Sequence, residues 1–456
     1  MTDGNKPLTT GQWLVLAAAF LGWMFDGVEI GLFPLVGRAA LQDLLQVTDE
    51  TQVMAWMSRI TACFLVGAAI GGVSLGWLGD KIGRVRGMVV CMLTYSIFTG
   101  LCYFVTAPWQ MGACIFVAAL GMGGEWSLAV ALVVECWPER HRPRLAGIIG
   151  AACNVGFLFV ALVALTRQVT VTDWRWMMLV GASPAVLALL VIFFVPESER
   201  WKASVKKGGS SPIIAIFKPG ILGKTVFAAV LSGIPLIGTW AAVSAYIPNW
   251  VDDMSQAQEA RNRLTGDNLT KYEVIKNPKE KRSLLKQSLT GEQWSEVRRT
   301  TAHSKAAVSL VIAVGAILGC LTAPTVGGMF GRRPVYFGLC LLSFLSASYL
   351  FRFLTEFNHW FMVVVFFVAG ITAAFYGWLP LYLPELFPTR IRATGQGLSF
   401  NFGRILAAGG TLCLGWFFGL FGDDYGRAMG AVAMIYLLGM VVIWFAPETK
   451  GKPLPD

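Results

Sequence analysis

Residues 22–31 read Gly22-Trp23-Met24-Phe25-Asp26-Gly27-Val28-Glu29-Ile30-Gly31 and lie in the middle of an apolar run from about 13 to 36. A run of that length spans a bilayer as a helix. Each carboxylate at the centre of such a helix costs roughly 2.5–3.5 kcal/mol on insertion scales. Asp26 and Glu29 are three residues apart, so they share one helix face. Acids at that depth face a bundle interior or a water-filled cavity, where they carry protons or engage substrate. The rest of the chain reads as a machine built around that face.

The composition agrees. Of 456 residues, 55% are hydrophobic and 14% are charged, with a mean hydropathy of +0.60. Soluble domains carry roughly 25% charged residues. Fifty glycines suit closely packed membrane helices. The net charge of +10 sits in short loops, where it sets orientation and does not signal nucleic-acid binding. The first apolar run is too long for a cleavable signal and contains acids. The nine cysteines fall in apolar segments, which argues against a disulfide framework. The three histidines form no cluster, so neither a metal nor a cofactor is expected.

Apolar runs recur at about 13–36, 53–78, 88–106, 110–136, 146–166 and 175–195, then at 224–249, 305–327, 336–354, 360–387, 394–420 and 428–446. Twelve spans put both termini on one side. Lys81, Arg84, Arg86, Arg140, Arg142, Arg144 and the basic linker at 201–223 then share that side, which the positive-inside rule assigns to the cytoplasm. The expected address is a plasma membrane, the inner membrane in a bacterium. The segment 251–304 forms a long outer loop with nearly balanced charge. It reads as amphipathic helices over Ala257–Leu264 and Lys281–Arg299. It is either a solvated cap or a module that captures substrate or a partner.

The chain also repeats itself. Glu135-Cys136-Trp137-Pro138-Glu139-Arg140-His141-Arg142 returns as Glu385-Leu386-Phe387-Pro388-Thr389-Arg390-Ile391-Arg392. Pro196-Glu197-Ser198 returns as Pro447-Glu448-Thr449, and Gly83-Arg84 as Gly331-Arg332. The expected fold is all-α, with twelve transmembrane helices in two six-helix halves, 1–200 and 224–456. Sites in such proteins lie near the midplane between the halves.

These residues carry a resemblance to the major facilitator superfamily. Gly76-Trp77-Leu78-Gly79-Asp80-Lys81-Ile82-Gly83-Arg84-Val85-Arg86 is similar to that superfamily's loop between its second and third helices. The second-half copy departs from it, with Gly328 and Met329 where Asp80 and Lys81 would be. The gating lock is therefore expected to be strong in the first half and weak in the second. Asp80, Arg84, Glu135, Arg142, Glu385 and Arg392 are the candidate gate, since ion pairs made in only one state bias an outward–inward equilibrium. Asp26-Gly27-Val28-Glu29 and Gly121-Met122-Gly123-Gly124-Glu125-Trp126 resemble segments of aromatic-acid, sialic-acid and metabolite:proton symporters. Val28 departs from an aromatic there and Glu29 from an Asp. The Pro196 and Pro447 segments look like sugar-porter signatures, but the amide residues that would read a sugar are missing.

Asp26, Glu29 and Glu125 are the candidate proton-coupling residues. Desolvation favours the neutral carboxyl, and two adjacent acids titrate as a pair. Arg404 reads either as a clamp for a substrate carboxylate or as a structural ion pair. Arg59 either snorkels to the outer surface or pairs with Asp26 or Glu29. Trp126, Tyr376 and Trp378 are candidates to line a site, with Trp23, Phe25, Trp240 and Phe375 nearby. Asn154 and Asn401 bond either substrate or a neighbouring helix. No nucleophile–base pair suggests an enzyme. The expected function is alternating-access symport of a small organic anion with protons, by a monomer in the lipid bilayer. The alternatives are a sugar or polyol porter, a drug exporter, and a non-transporting receptor on the same scaffold.

Overall fold

The computed structural model describes residues 7–46, 50–167, 169–206, 213–244, 246–275, 278–412, 417, 419–421 and 424–455. Every regular element among them is helical. The first half holds α1 (Thr10–Leu45), α2 (Glu50–Ile82), α3 (Arg84–Leu101), α4 (Pro108–Cys136) and α5 (Arg142–Thr166). Its sixth crossing is two pieces, α6 (Trp176–Ala182) and α7 (Pro184–Phe194), divided at Ser183-Pro184 because proline supplies no N–H to continue the ladder. Helix α8 (Glu199–Lys206) runs across the expected boundary at 200.

The second half begins with α9 (Leu222–Pro235), which widens into a π-helical stretch, Leu236–Ser244, before α10 (Ile247–Arg263). Then come α11 (Asp267–Val274), α12 (Pro278–Ser288), α13 (Gly291–Phe330), α14 (Arg332–Phe353), α15 (His359–Tyr382) and α16 (Arg392–Leu412). The last crossing is again broken, into Tyr425–Ala433 and Ile435–Val442. Among the described residues, eleven helices are long and apolar enough to cross a membrane. The remaining expected crossing is α16, whose Gln396, Asn401 and Arg404 make it the most polar of the set; 413–416 and 418 lie outside the described residues.

The loop at 251–304 differs from its expected form. The stretch Ala257–Leu264 is the end of α10, which continues the seventh crossing outward. The expected helix Lys281–Arg299 is two helices, because Thr290 and Gln293 form a capping box that starts α13. A further helix, α11, lies between α10 and α12, entered through Gly266 at φ 58°.

Both chain ends share one face. Gln12 Nε2 donates to the Cys136 carbonyl at 3.0 Å, and Arg392 Nη2 donates to the Pro455 carbonyl at 2.8 Å. The loop 251–304 occupies the opposite face. Helices meet where side chains vanish: a Cβ on Gly156 of α5 would overlap the Met24 carbonyl of α1, and one on Gly397 of α16 would overlap the Gly72 carbonyl of α2. The second contact joins the two halves. Gly156→Ala is expected to lower stability by about 1–3 kcal/mol through overpacking. Thermal unfolding in detergent checks this, with Gly338→Ala, where nothing lies within 4 Å, expected to be unchanged.

Candidate functional site

Three buried acids lie inside the first half. Asp26 on α1 and Glu125 on α4 are fully buried, with their carboxyl groups within mutual hydrogen-bonding reach. Among the described residues, no N–H or O–H makes a well-formed hydrogen bond to any of their four oxygens, and the Tyr95 hydroxyl of α3 is a donor within reach of Glu125. Glu125 reaches α1 because Gly22, one turn before Asp26, has no side chain; a Cβ there would overlap its Oε1. Glu29 turns away from this pair. It accepts the Thr99 hydroxyl of α3, and its Oε2 lies 3.5 Å from the Cβ position of Gly181 on α6. Two acids that face each other, short of donors, are satisfied when a proton bridges them.

Beside the acids is a cavity of about 60 Å³ between the halves. Trp23, Asn154, Thr239, Tyr376, Phe400 and Arg404 line it, with Cys153 between the Asp26 and Arg404 charges. Arg404 is 6% exposed and is the cation that acts on Asp26. Its Nη1 donates to Asn401 Oδ1 at 2.7 Å, and Asn401 Nδ2 donates onward to the Gly123 carbonyl at 3.0 Å. No carboxylate forms a direct ion pair with Arg404 among the described residues, so the guanidinium is left with donors to offer.

Phe400 escaped the sequence reading. It stacks on Trp126 at 3.9 Å, meets Trp23 at 5.9 Å and Tyr376 at 6.4 Å, and lies 5.8 Å beneath the Arg404 guanidinium. Its position one turn before Arg404 is the only signal that could have found it. Thr239, held by the Thr372 carbonyl at 2.8 Å within the π-helical stretch, was missed for the same lack of a motif.

Trp378 departs from its expected place, whereas Arg59 and Asn401 each take one of the two roles left open for them. Trp378 is buried away from the cavity, 4.6 Å from Tyr382 and 4.7 Å from Tyr336, because α15 turns it toward α14. Arg59 is exposed and lies 5.2 Å over Trp56, so it pairs with neither Asp26 nor Glu29. Trp126 forms the wall behind Phe400, and Asn401 is a strut between α16 and α4. The Trp240 side chain lies outside the described residues, as does Cys413. No bridged cysteine pair and no metal-binding cluster occurs among the described residues.

The face with the termini carries a buried ion-pair lattice. Arg84 reaches Asp80 at 2.6 Å, Glu135 at 3.1 Å and the Thr389 carbonyl at 2.6 Å. Glu135 also accepts from Arg392 of the other half at 2.7 Å and from Ser198 at 2.6 Å. Asp80 caps the start of α16, accepting from Ala393 N at 3.2 Å, Thr394 N at 2.8 Å and the Thr394 hydroxyl at 2.5 Å. The second half repeats the frame: Arg332 meets Glu385 at 2.6 Å, Thr449 meets Glu385 at 2.6 Å, and Glu448 accepts from Arg332 N at 3.0 Å. Burial pushes the Glu448 carboxyl up, but the N–H groups of Arg333, Lys450, Arg332 and Thr449 bring it below its ordinary range. Burial leaves its counterpart Glu197 raised.

The second lattice is therefore not weak within its own half. What it lacks is the link across. Gly328 stands where Asp80 would be and packs on Pro143, 2.9 Å from its Cβ position. A proline has no N–H for a carboxylate to cap. Arg142, the counterpart of Arg392, bonds Glu139 at 2.7 Å, and no hydrogen bond to Glu385 forms among the described residues.

A bundle of twelve crossings in two repeated halves, with a buried site between them, is an integral multi-pass membrane transporter, not an enzyme. Comparison with known proteins agrees. The family model for sugar (and other) transporters matches residues 14–211, and that for the major facilitator superfamily matches 290–456. The inner membrane metabolite transport protein YgcS of Escherichia coli is 26% identical, over 99% of this chain and 94% of that one. The cis,cis-muconate transport protein of Acinetobacter baylyi is 26% identical, over 95% of this chain and 94% of that one. A structure of the proton:xylose symporter XylE has the same fold, with a TM-score of 0.71 at 19% identity and 97% of each chain covered. Together the two family models reach into both halves of the chain, which is a transporter of the major facilitator type, and the two relatives are a metabolite and an organic-acid carrier.

Glu135→Gln is expected to loosen the lattice by about 3–5 kcal/mol, since it leaves two buried guanidiniums short of charge. Glu385→Gln strands only one. Hydrogen exchange over 384–396 checks this, with faster exchange expected in Glu135→Gln than in Glu385→Gln.

Proposed function

We infer that the protein is a proton-coupled symporter of a small organic anion, working by alternating access of its two halves. The observation that carries this reading is the facing Asp26–Glu125 pair, buried without a cation bound to either acid, beside a cavity that holds Arg404. With one proton shared, the pair keeps one negative charge near Arg404. A second proton removes it, and Arg404 then takes a substrate carboxylate as its counter-charge. Loss of that proton restores the internal attraction and favours release of the anion. Proton and anion thereby help each other bind, and the coupling is reciprocal.

Phe400, Trp23 and Tyr376 would hold the substrate's carbon skeleton, with Asn154 at the rim. Glu29 would serve as a second proton station tied to Thr99. The pairs among Asp80, Arg84, Glu135, Arg392 and Thr394 would lock the terminal face, which the positive-inside rule places in the cytoplasm of a bacterial inner-membrane protein. Arg142 and Glu385 would engage only in another state. One chain contains every element of this site, so a monomer suffices. The muconate relative supports a carboxylic acid as substrate, whereas the sugar-transporter model and the xylose symporter's fold favour a neutral sugar as the second reading.

Uptake into proteoliposomes separates the two. Aromatic acids, sugar acids, dicarboxylates and neutral sugars are tested with and without a pH gradient. Acid uptake is expected to rise as the pH outside falls, and to drop by at least about a hundredfold in Asp26→Asn, in line with loss of a positioned proton carrier. Glu125→Gln should lose gradient-driven uptake but keep counterflow. Arg404→Gln should lose both. Uptake of a neutral sugar, indifferent to the gradient and to the Asp26 and Glu125 variants, overturns the symport reading.

A further inference from the structure

The loop face carries a concavity that the transport mechanism does not use. Helices α10, α12 and the first turns of α13 enclose a cleft of about 400 Å³, whose charged and aromatic lining is Asp252, Arg282, Trp294, Arg298, Arg299 and Lys305. Four cations face one carboxylate there. Asp252 already accepts from Gln256 Nε2 at 3.0 Å, and Lys305 Nζ donates to Asn249 Oδ1 at 2.8 Å. Arg282, Arg298 and Arg299 make no hydrogen bond or ion pair among the described residues.

The loop has acids to spare, but they are directed elsewhere. Glu259 and Glu296 both hold Arg263, at 2.8 and 3.0 Å. The adjacent cleft of about 500 Å³ mixes Asp253, Glu356 and Asp424 with Arg261 and Lys281. A loop of nearly balanced charge thus presents three unpaired arginines in one cleft. Such a cluster draws in anions. Guanidinium forks match carboxylates two bonds at a time, and Trp294 offers a flat apolar face to an unsaturated skeleton.

Height above the bilayer favours a dissolved ligand. Helix α13 has 40 residues. From Phe330 to Arg299 it rises about 46 Å, against about 30 Å of hydrocarbon and roughly 40–45 Å with headgroups. The cleft therefore opens at the outer edge of the headgroup layer, with Trp294 and Arg298 on its far side from the bilayer core.

We propose that this cleft is a capture site for small organic anions with two or more carboxylates, which gathers them at the loop face. That they are then transported rests on the symport reading; the binding itself does not.

The test is calorimetric titration of benzene-1,3,5-tricarboxylate into the full-length protein in phosphatidylcholine nanodiscs at low salt. The double variant Arg298→Gln/Arg299→Gln is expected to bind at least about tenfold more weakly, as loss of bidentate pairing predicts. Lys286→Gln, a cation of α12 outside the cleft lining, should bind like the wild type, and benzoate should bind more weakly than the tricarboxylate. Full affinity in the double variant, or loss of binding in Lys286→Gln alone, overturns the proposal. The titration is repeated in phosphatidylglycerol nanodiscs. Unchanged affinity supports a dissolved ligand, whereas loss there identifies the occupant as a lipid headgroup and overturns it. Binding that persists while no acid is transported removes the symport reading and leaves this site standing.

Discussion

Carboxyl groups sealed from water and short of donors impose the constraint on which the rest depends. Asp26 and Glu125 are fully buried and face each other, with the Tyr95 hydroxyl near Glu125 and no well-formed hydrogen bond to any of their four oxygens among the described residues. A structural acid at that depth would be matched with arginines and a bonded hydroxyl, as Glu135 is with Arg84, Arg392 and Ser198. The contrast lies within a single helix, α4. One of its acids is saturated with donors at the terminal face, and the other, ten residues earlier, has no cation and only the Tyr95 hydroxyl within reach. Saturation suits a lock, and deprivation suits a group that must gain and lose a proton.

The second half supplies the complement. Arg404 and Phe400 are on α16, and the start of that helix is capped by Asp80 of the first half. Thr394 and Arg404 are ten residues apart, about 15 Å along one rigid helix. A movement that frees the Asp80 cap therefore moves Arg404 relative to the acid pair. In the symport reading, gate and site share this helix as a lever, by which a change of charge at one end would bias the other. The asymmetry at Gly328 and Pro143 gives the second half no equivalent lever on α5.

Much of this was legible in the sequence. Twelve apolar runs and a repeat of about 250 residues dictate the fold, because hydrocarbon permits only helices here and a duplicated motif requires duplicated surroundings. Asp26, Glu125 and Arg404 were conspicuous because charges are rare at mid-span. Other features were not legible. Phe400 and Trp378 are aromatic residues among many, and only the rotation of α16 and α15 places one in the cavity and the other behind it. Missing Asp80 and Lys81 counterparts suggested a weak second lattice, because a motif shows which residues are lost and not which contacts survive. The contacts among Arg332, Glu385 and Glu448 survive, and the lost cap is matched by a proline that offers no N–H. The loop 251–304 showed amphipathic helices but not their limits, since a capping box within a charged stretch is a weak signal against helix continuation.

The most direct test of the central claim is infrared difference spectroscopy of the purified protein, following the C=O stretch of a protonated carboxyl across the neutral pH range. The account predicts such a band at pH 7, shifted by deuterium, altered in both Asp26→Asn and Glu125→Gln, and perturbed when a transported acid binds. A spectrum without that band, or one that neither variant alters, would mean that the pair holds no shared proton and that these acids do not couple transport.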